Sequence, residues 1–345
     1  MSPAPPSVNR QWLLSSRPTG LVQESNFAWR EVPIPTPSEG QFLVRNLYLS
    51  FDPAMRGWME DRPSYVPPVA LGEVMRAGSV AQVVESKSPA FKPGDFVQGT
   101  FGWQDYAVSD GKGPLPVSKL PPGVPLTWPL GVLGITGLTA YFGLLDLGKP
   151  AAGETVVVSG AAGSTGSVAG QIAKIKGCRV IGTAGGKEKC DWLVKVAHFD
   201  AAIDYKREDI GAQLSELCPN GIDVFFDNVG GTVLNEVLAR INLKARIVLC
   251  GSISRYNNAT PPPGPANYFY LTARRSRMEG FIILDYVARF PEAIAALAQW
   301  QKEGKLVQKE DIAVGLENAP RTLTRLFTGE NFGKQLLKIA DPPLA

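Results

Sequence analysis

Histidine is nearly absent from this chain of 345 residues, which holds only His198. A zinc triad, a paired-histidine metal site and a two-histidine proton relay are thereby excluded. Cysteine is scarce too. Cys178, Cys190, Cys218 and Cys250 lie no closer than 12 positions apart, so there is no C-x-x-C pair, zinc knuckle or redox dithiol. Scattered thiols suit a reducing compartment. No charge excess exists either, since 35 basic and 32 acidic residues leave a formal charge of +3. That balance argues against nucleic acid and against an anionic membrane as partners. The opening MSPAPPSVNRQW has no basic-then-apolar signal pattern. The one stretch resembling a membrane span, Pro129 to Leu145, is 17 residues long and carries Gly131, Gly134, Gly137 and Gly143. It is short for a span, and a helix buried in a soluble protein is expected there. These absences imply a cytoplasmic protein without metal.

What is present divides by texture. The length points to two domains, and an apolar fraction of 44% with 19% charged residues is ordinary for a globular chain. Residues 1–125 read as β-rich. Gln41 to Ser50 and Ala81 to Glu85 are strand-like, Phe96 to Val108 resembles two strands, and prolines punctuate the segment. A partly open barrel-like domain is expected. From Glu154 onward apolar β-branched runs alternate with helical patterns: strands at 155–160, 178–185, 201–205, 223–230 and 245–253, with helices at 187–197, 208–217 and 232–241. That alternation predicts an α/β fold with a doubly wound parallel sheet covered on both faces. The proline-rich block Tyr256 to Pro265 reads as a loop over the site, with a further strand at 278–284 and a strand-like ending within 330–340. The expected division is 1–125 completed by 312–345, with 126–311 as the cofactor domain.

The sharpest motif is Gly160-Ala-Ala-Gly163-Ser-Thr-Gly166, placed after the apolar run TVVVS and opening a helix. Glycines allow the tight turn and the close approach of backbone to a pyrophosphate, and a helix N-terminus offers unpaired N–H groups and a positive dipole end. Dinucleotide choice is read at the end of the next strand, where an NAD site usually places an acid on the ribose. Here the strand ends in Thr183-Ala184-Gly185-Gly186, with Lys187 and Lys189 following and only Glu188 acidic. Space and positive charge at that point favour NADP.

Five further stretches, together with the glycine loop, carry a family resemblance. Gly134-Ile-Thr-Gly-Leu-Thr-Ala-Tyr-Phe-Gly-Leu-Leu, the glycine loop with Gly170-Gln171, and Phe226-Asp-Asn-Val-Gly-Gly are similar to the zinc-free medium-chain dehydrogenase/reductases. Ser50-Phe-Asp-Pro-Ala-Met-Arg, Cys250-Gly-Ser-Ile-Ser-Arg-Tyr-Asn and Glu279-Gly-Phe-Ile resemble the branch of prostaglandin, alkenal double-bond and curcumin reductases. The resemblance spans nearly the whole chain. It implies a catalytic domain completed by the last segment and a Rossmann domain between. It also implies a homodimer that uses NADPH to reduce the carbon–carbon double bond of α,β-unsaturated ketones or aldehydes.

Carried across by position, the resemblance gives Gly163, Ser164, Thr165 and Gly166 to the pyrophosphate, and Lys189 and Tyr205 to the adenosine 2′-phosphate. Asn228 sits near the cofactor, and Cys250, Gly251, Ser252, Ile253, Ser254 and Tyr256 line its other side. Phe281, Ile282, Ile283 and Asn331 flank the nicotinamide end, and Thr139 reaches it from the preceding helix. Arg56, Trp58, Tyr65 and Tyr268 are the expected substrate contacts, with Trp103 a further candidate for an aromatic pocket. The chain departs from relatives at Ala54 and Ala273, where tyrosine is found elsewhere in the family. Tyr256 is therefore the first candidate proton donor, ahead of Tyr65, Tyr268 and Tyr270. A quinone oxidoreductase and a non-catalytic NADPH-binding protein are the alternatives.

Overall fold

The computed structural model describes residues 8–342. The chain forms two compact units. One runs to Gly131 and takes up Glu310–Asn331 and the chain from Gln335 onward; the other comprises Val132–Lys309 with Phe332–Lys334.

In the first unit β1 (Asn9–Leu14) and β2 (Phe27–Val32) form an antiparallel ribbon. A larger sheet contains β3 (Phe42–Ser50), β4 (Gly78–Ser86), β5 (Phe96–Thr100), β6 (Tyr106–Ser109) and β7 (Ser118–Lys119). The chain's end adds β14 (Glu310–Val314) and β15 (Lys334–Lys338), giving the order β14-β15-β3-β4-β5-β7. β6 pairs with the first half of β3, and β15 pairs with its second half. The sheet stays open and does not close into a barrel.

The C-terminal segment belongs to this unit because it completes its core. Leu316, Ala319, Leu323 and Leu337 pack among Trp12, Leu14, Phe51, Met55 and Trp103. The Trp12 indole N–H also donates to the Leu316 carbonyl at 2.9 Å. Such a cluster is what an apolar α9 face (Ala319–Thr328) must bury. The short helix α1 (Met55–Trp58) follows β3.

The second unit is a parallel sheet of β8 (Thr155–Val158), β9 (Arg179–Ala184), β10 (Ala201–Asp204), β11 (Ile222–Asp227), β12 (Ile241–Leu249) and β13 (Arg277–Gly280). Its order is β10-β9-β8-β11-β12-β13. This is the doubly wound order whose direction reverses beside the first strand, so a ligand crevice is expected outside the carboxyl ends of β8 and β11. β8 is buried along its whole length, as a strand covered on both faces must be. The helices are α2 (Ile135–Phe142), α3 (Ser164–Ile175), α4 (Lys187–Lys195), α5 (Ile210–Leu217), α6 (Gly231–Leu238), α7 (Phe269–Ala273) and α8 (Phe290–Lys302).

The strand expected at 278–284 stops at Gly280. Its partner explains the difference, because β13 pairs with β12 only from Arg246↔Arg277 to Leu249↔Gly280, where β12 itself ends. The uncharged 129–145 stretch holds α2, which runs into a π-helix over Gly143–Gly148. No helix among the described residues is long and apolar enough to cross a membrane. His198 is exposed with φ +60, in the turn that closes α4, and has no place near the sheet's carboxyl edge.

Candidate cofactor site

The site of the second unit is built where strands end. β8 leads into Ser159-Gly160, and Gly160 has φ +58, a conformation that L side chains rarely adopt. The turn closes with the Gly163 N–H donating to the Gly160 carbonyl at 3.0 Å, and the Ala161 N–H donates to the Thr183 carbonyl at 2.9 Å. α3 begins at Ser164 behind Gly163, and no side chain caps its first turn. Those N–H groups and the dipole end form a cradle suited to a phosphate.

Helix and turn touch at backbone level. A Cβ on Gly166 would lie 2.5 Å from the Gly160 oxygen and 2.9 Å from the Ala161 Cα. A Cβ on Gly170 would lie 1.9 Å from the Phe199 ring, so the helix also sits tight against the sheet's far side. The segment from Phe332 to Lys334 runs past the loop. The Gly333 N–H donates to the Ala162 carbonyl at 3.1 Å, and Phe332 packs edge-on to Trp192 with centroids 5.7 Å apart.

Three residues without an assigned role hold the strand ends together. Ser159 donates its hydroxyl to Asp227 Oδ1 at 2.7 Å and accepts the Asn228 N–H at 2.8 Å. Asp227 Oδ1 also accepts the Val229 and Gly230 N–H groups at 3.0 and 2.9 Å. The Asn228 amide donates to the Ser159 carbonyl at 2.7 Å, and the Asp227 carbonyl accepts the Cys250 and Gly251 N–H groups. The ends of β8, β11 and β12 are thus fixed to one another around a fully buried carboxylate. Burial pushes the Asp227 carboxyl above its usual range, against the opposing pull of the Gly230 N–H, the Ser159 hydroxyl and the Val229 N–H. Thr136 is the third residue. Its hydroxyl accepts the Ser164 hydroxyl at 2.7 Å, tying α2 to the start of α3. In the sequence, a polar residue closing an apolar strand run at Ser159 and the aspartate of Phe226-Asp-Asn-Val were the available signals.

β9 ends in Ala184 followed by Gly185-Gly186, and the next acid along the chain is Glu188, exposed on the first turn of α4. Asp204, closing β10, is buried and its Oδ1 accepts the Gly186 and Lys206 N–H groups at 2.8 and 3.1 Å. Gly185 leaves room in which the Tyr205 hydroxyl lies, 2.7 Å from where a Cβ would stand. Partial burial, then the Asp204 carboxylate, raises the Tyr205 pKa, so the phenol stays a proton donor at neutral pH. Lys189 is half-buried on the first turns of α4, whereas Lys187 is exposed and pairs with Asp191 at 2.6 Å.

Beyond β12, the Cys250–Tyr256 loop packs back on the Asn228 turn. The Ile253 and Ser254 N–H groups donate to the Asn228 and Val229 carbonyls at 3.2 Å each, and Tyr256 Oη accepts the Ser252 N–H at 3.1 Å. Phe281, Ile282 and Ile283 leave the end of β13, and Thr139 on α2 donates its hydroxyl to the Ile135 carbonyl at 2.7 Å. Tyr268 is 65% exposed and lies near the start of α7. On the second unit the candidates fall at the carboxyl ends of its strands or on the first turns of α3 and α4 that follow them, apart from Tyr268 and Thr139, which sit on other helical segments.

In the first unit, the Trp58 indole N–H donates to the Tyr65 hydroxyl at 3.2 Å, and the Arg76 guanidinium lies 5.7 Å from the Trp58 ring centroid. Tyr65 is 48% exposed. Asn331 is half-buried at the end of the segment after α9. Two expectations are corrected. Arg56 is buried, with its guanidinium donating to the Pro18 carbonyl at 3.0 Å and pairing with Glu60 at 2.9 Å, so it braces the loop beneath α1 instead of meeting substrate. Trp103 is fully buried between Phe27 and Phe51, with centroids at 4.9 and 5.2 Å, and is core instead of pocket lining. Among the described residues no group of three His, Cys, Asp or Glu side chains is placed to hold a metal ion.

Comparison with known proteins places this geometry. A model described as the N-terminal domain of oxidoreductase matches residues 10–117, and one described as zinc-binding dehydrogenase matches residues 164–299. The chain is 48% identical over 337 residues to the NADPH-dependent curcumin reductase of Escherichia coli (strain K12), covering 96% of this chain and 97% of that protein. It is 41% identical over 341 residues to the NADP(+)-dependent 2-alkenal reductase of Nicotiana tabacum, covering 96% and 98%. Among solved structures, CurA in complex with NADPH from Vibrio vulnificus matches with a TM-score of 0.92 at 46% identity, covering 96% of this chain and 100% of that one.

Proposed function

The chain belongs to the medium-chain dehydrogenase/reductases, in the branch of curcumin, alkenal and prostaglandin reductases, and from that membership we propose that it uses NADPH to reduce the carbon–carbon double bond of α,β-unsaturated ketones and aldehydes. The observation carrying the cofactor reading is the end of β9. Its glycines leave space, and the Asp204 carboxyl at the end of β10 is spent on the Gly186 and Lys206 N–H groups, while Glu208 accepts the Asp204 N–H at 2.6 Å. A ribose 2′-phosphate would meet no unspent carboxylate from the ends of β9 and β10, and Lys189 and Tyr205 would supply charge and a hydrogen bond. The turn at Gly163 and the first-turn N–H groups behind it, from Ser164 to Gly166, would hold the pyrophosphate, at a turn that a Cβ on Gly166 would push apart.

When bound, NADPH supplies the hydride that adds to the β-carbon of the acceptor. The protein's part is to orient and to stabilise charge. Ser159 and Asp227 fix the Asn228 turn, and the Cys250–Tyr256 loop and Phe281–Ile283 bound the nicotinamide end. Negative charge develops on the carbonyl oxygen during addition, and a hydrogen-bond donor lowers that barrier. Tyr256 is the assigned donor. Its oxygen accepts the Ser252 N–H at 3.1 Å, which orients the phenol within the Cys250–Tyr256 loop. The α-carbon then takes a proton from water or tyrosine, with no covalent or metal-bound step in the sequence. Trp58, Tyr65 and Tyr268 remain the proposed substrate contacts, Asn331 a proposed contact of the nicotinamide end, and the homodimer and cytoplasmic location are inferences from the family and the composition.

The test follows NADPH absorbance with an alkenal, a phenyl-substituted enone, a quinone and a saturated ketone, each repeated with NADH. Oxidation of NADPH by the alkenal and the enone alone is expected. Turnover confined to the quinone would assign the chain to the quinone reductases, and silence with every acceptor despite tight NADPH binding would make it a binding protein.

A further inference from the structure

We propose that Gly143 is a positioning residue for the nicotinamide end of the site, acting through Phe281, an inference that rests on the cofactor reading above. Gly143 ends α2 with φ −58 and ψ −43, ordinary helical angles that any residue adopts. Glycine is a poor helix residue, so its presence here needs a reason other than backbone freedom. The reason is space. A Cβ at this position would lie 2.5 Å from Phe281 Cζ, 2.9 Å from Phe281 Cε1 and 2.9 Å from Phe226 Cε2.

Both rings belong to strand ends that form the site. Phe281 is the first residue beyond β13, and Phe226 immediately precedes the Asp227–Asn228 turn. On its other side Phe281 meets Tyr286 edge-on, with centroids 6.3 Å apart, and Tyr286 stacks on Phe142 at 4.6 Å. The ring is held between helix and aromatic neighbour, and its backbone leads directly into Ile282 and Ile283. Thr139 lies four residues before Gly143 and so on the same face of α2. The helix widens into its π-turn at Gly143, a distortion frequent at functional sites. The size of this one residue thus sets how closely the Thr139 face and the Phe281–Ile283 segment approach each other.

The test uses Gly143→Ala, Phe281→Leu and the double variant, with ligand affinities and melting temperatures measured in each. The ligands are NADP and adenosine 2′,5′-bisphosphate, which lacks the nicotinamide. Gly143→Ala is expected to weaken NADP about tenfold, as overpacking against a ring does, and to leave the bisphosphate within about twofold. Shortening Phe281 in the double variant should restore NADP to within about threefold of Phe281→Leu alone, and recover the part of the melting temperature lost to Phe281, the contact with Phe226 at 2.9 Å keeping the rest. Equal weakening of both ligands, or no recovery in the double variant, would overturn the proposal. A Gly143→Ala chain that does not fold leaves the double variant as the test, and failure of that variant to fold would place the clash elsewhere. A native chain that binds neither ligand would sink the cofactor reading and this inference with it. Native binding of both, with no discrimination by Gly143→Ala, would sink only the latter.

Discussion

Replacing Gly166 with alanine would bring a methyl carbon to 2.5 Å from the Gly160 carbonyl oxygen and 2.9 Å from the Ala161 Cα. Both contacts are backbone, so no flexible side chain can yield, and either the turn or the first turn of α3 must move. Overpacking of this kind costs about 1–3 kcal/mol. If the turn takes the displacement, the loss falls on the phosphate cradle and appears as roughly 5- to 150-fold weaker NADPH binding. Titration of NADPH fluorescence measures it, with thermal unfolding in parallel to show how much of the cost the fold absorbs. Gly57→Ala is the control, because a Cβ there meets nothing within 4 Å. It should leave NADPH affinity within about twofold. A Gly166→Ala protein that binds NADPH like the parent and melts at the same temperature would refute the assignment of this turn to the pyrophosphate.

Further predictions follow from other parts of the site. Lys189→Ala should raise KM for NADPH by about 10- to 100-fold, the worth of a charge-assisted hydrogen bond, and leave KM for NADH nearly unchanged. Equal effects on both would remove Lys189 from the 2′-phosphate. Tyr256→Phe should lower kcat about 100-fold or more with little change in NADPH affinity, and unchanged turnover would exclude it as a required donor. Burial pushes the thiols of Cys178 and Cys218 up to about 11, so they are protonated at neutral pH and their thiolates grow only as pH rises toward that value. At pH 8 about one in a thousand is thiolate, and alkylation of these two in the native protein should be at least about 100-fold slower than after denaturation. Rapid native labelling at pH 8 would contradict their burial.

Much of the cofactor unit was legible because parallel strands and amphipathic helices write their periodicity locally. The runs around 155–160, 178–185 and 223–230 are apolar since both faces of the sheet are covered, and the glycine turn marks the first helix start. Side-chain fates decided by distant packing were not legible. Trp103 follows Gly102 in a glycine-punctuated stretch that reads as a loop, yet Phe27 and Phe51 bury it from far along the chain. Arg56 sits in a motif with functional resemblance, but its partners Pro18 and Gly20 belong to a loop about 36 to 38 residues earlier. β1 and β2 were missed because NRQWLL and FAWREV do not alternate cleanly between apolar and polar residues. Asp227 and Ser159 were visible as residues, but only three adjacent strand ends reveal them as a hub.

The central claim is delivery of hydride to the β-carbon of a conjugated carbonyl compound. Its most direct test is turnover of a phenyl-substituted enone with NADPH deuterated at the transferable position of the nicotinamide, with the product read by NMR and mass spectrometry. The account predicts a saturated ketone carrying one deuterium on the β-carbon and a solvent-derived proton on the α-carbon. Deuterium on the carbonyl carbon of an allylic alcohol, or a product without deuterium, would contradict it.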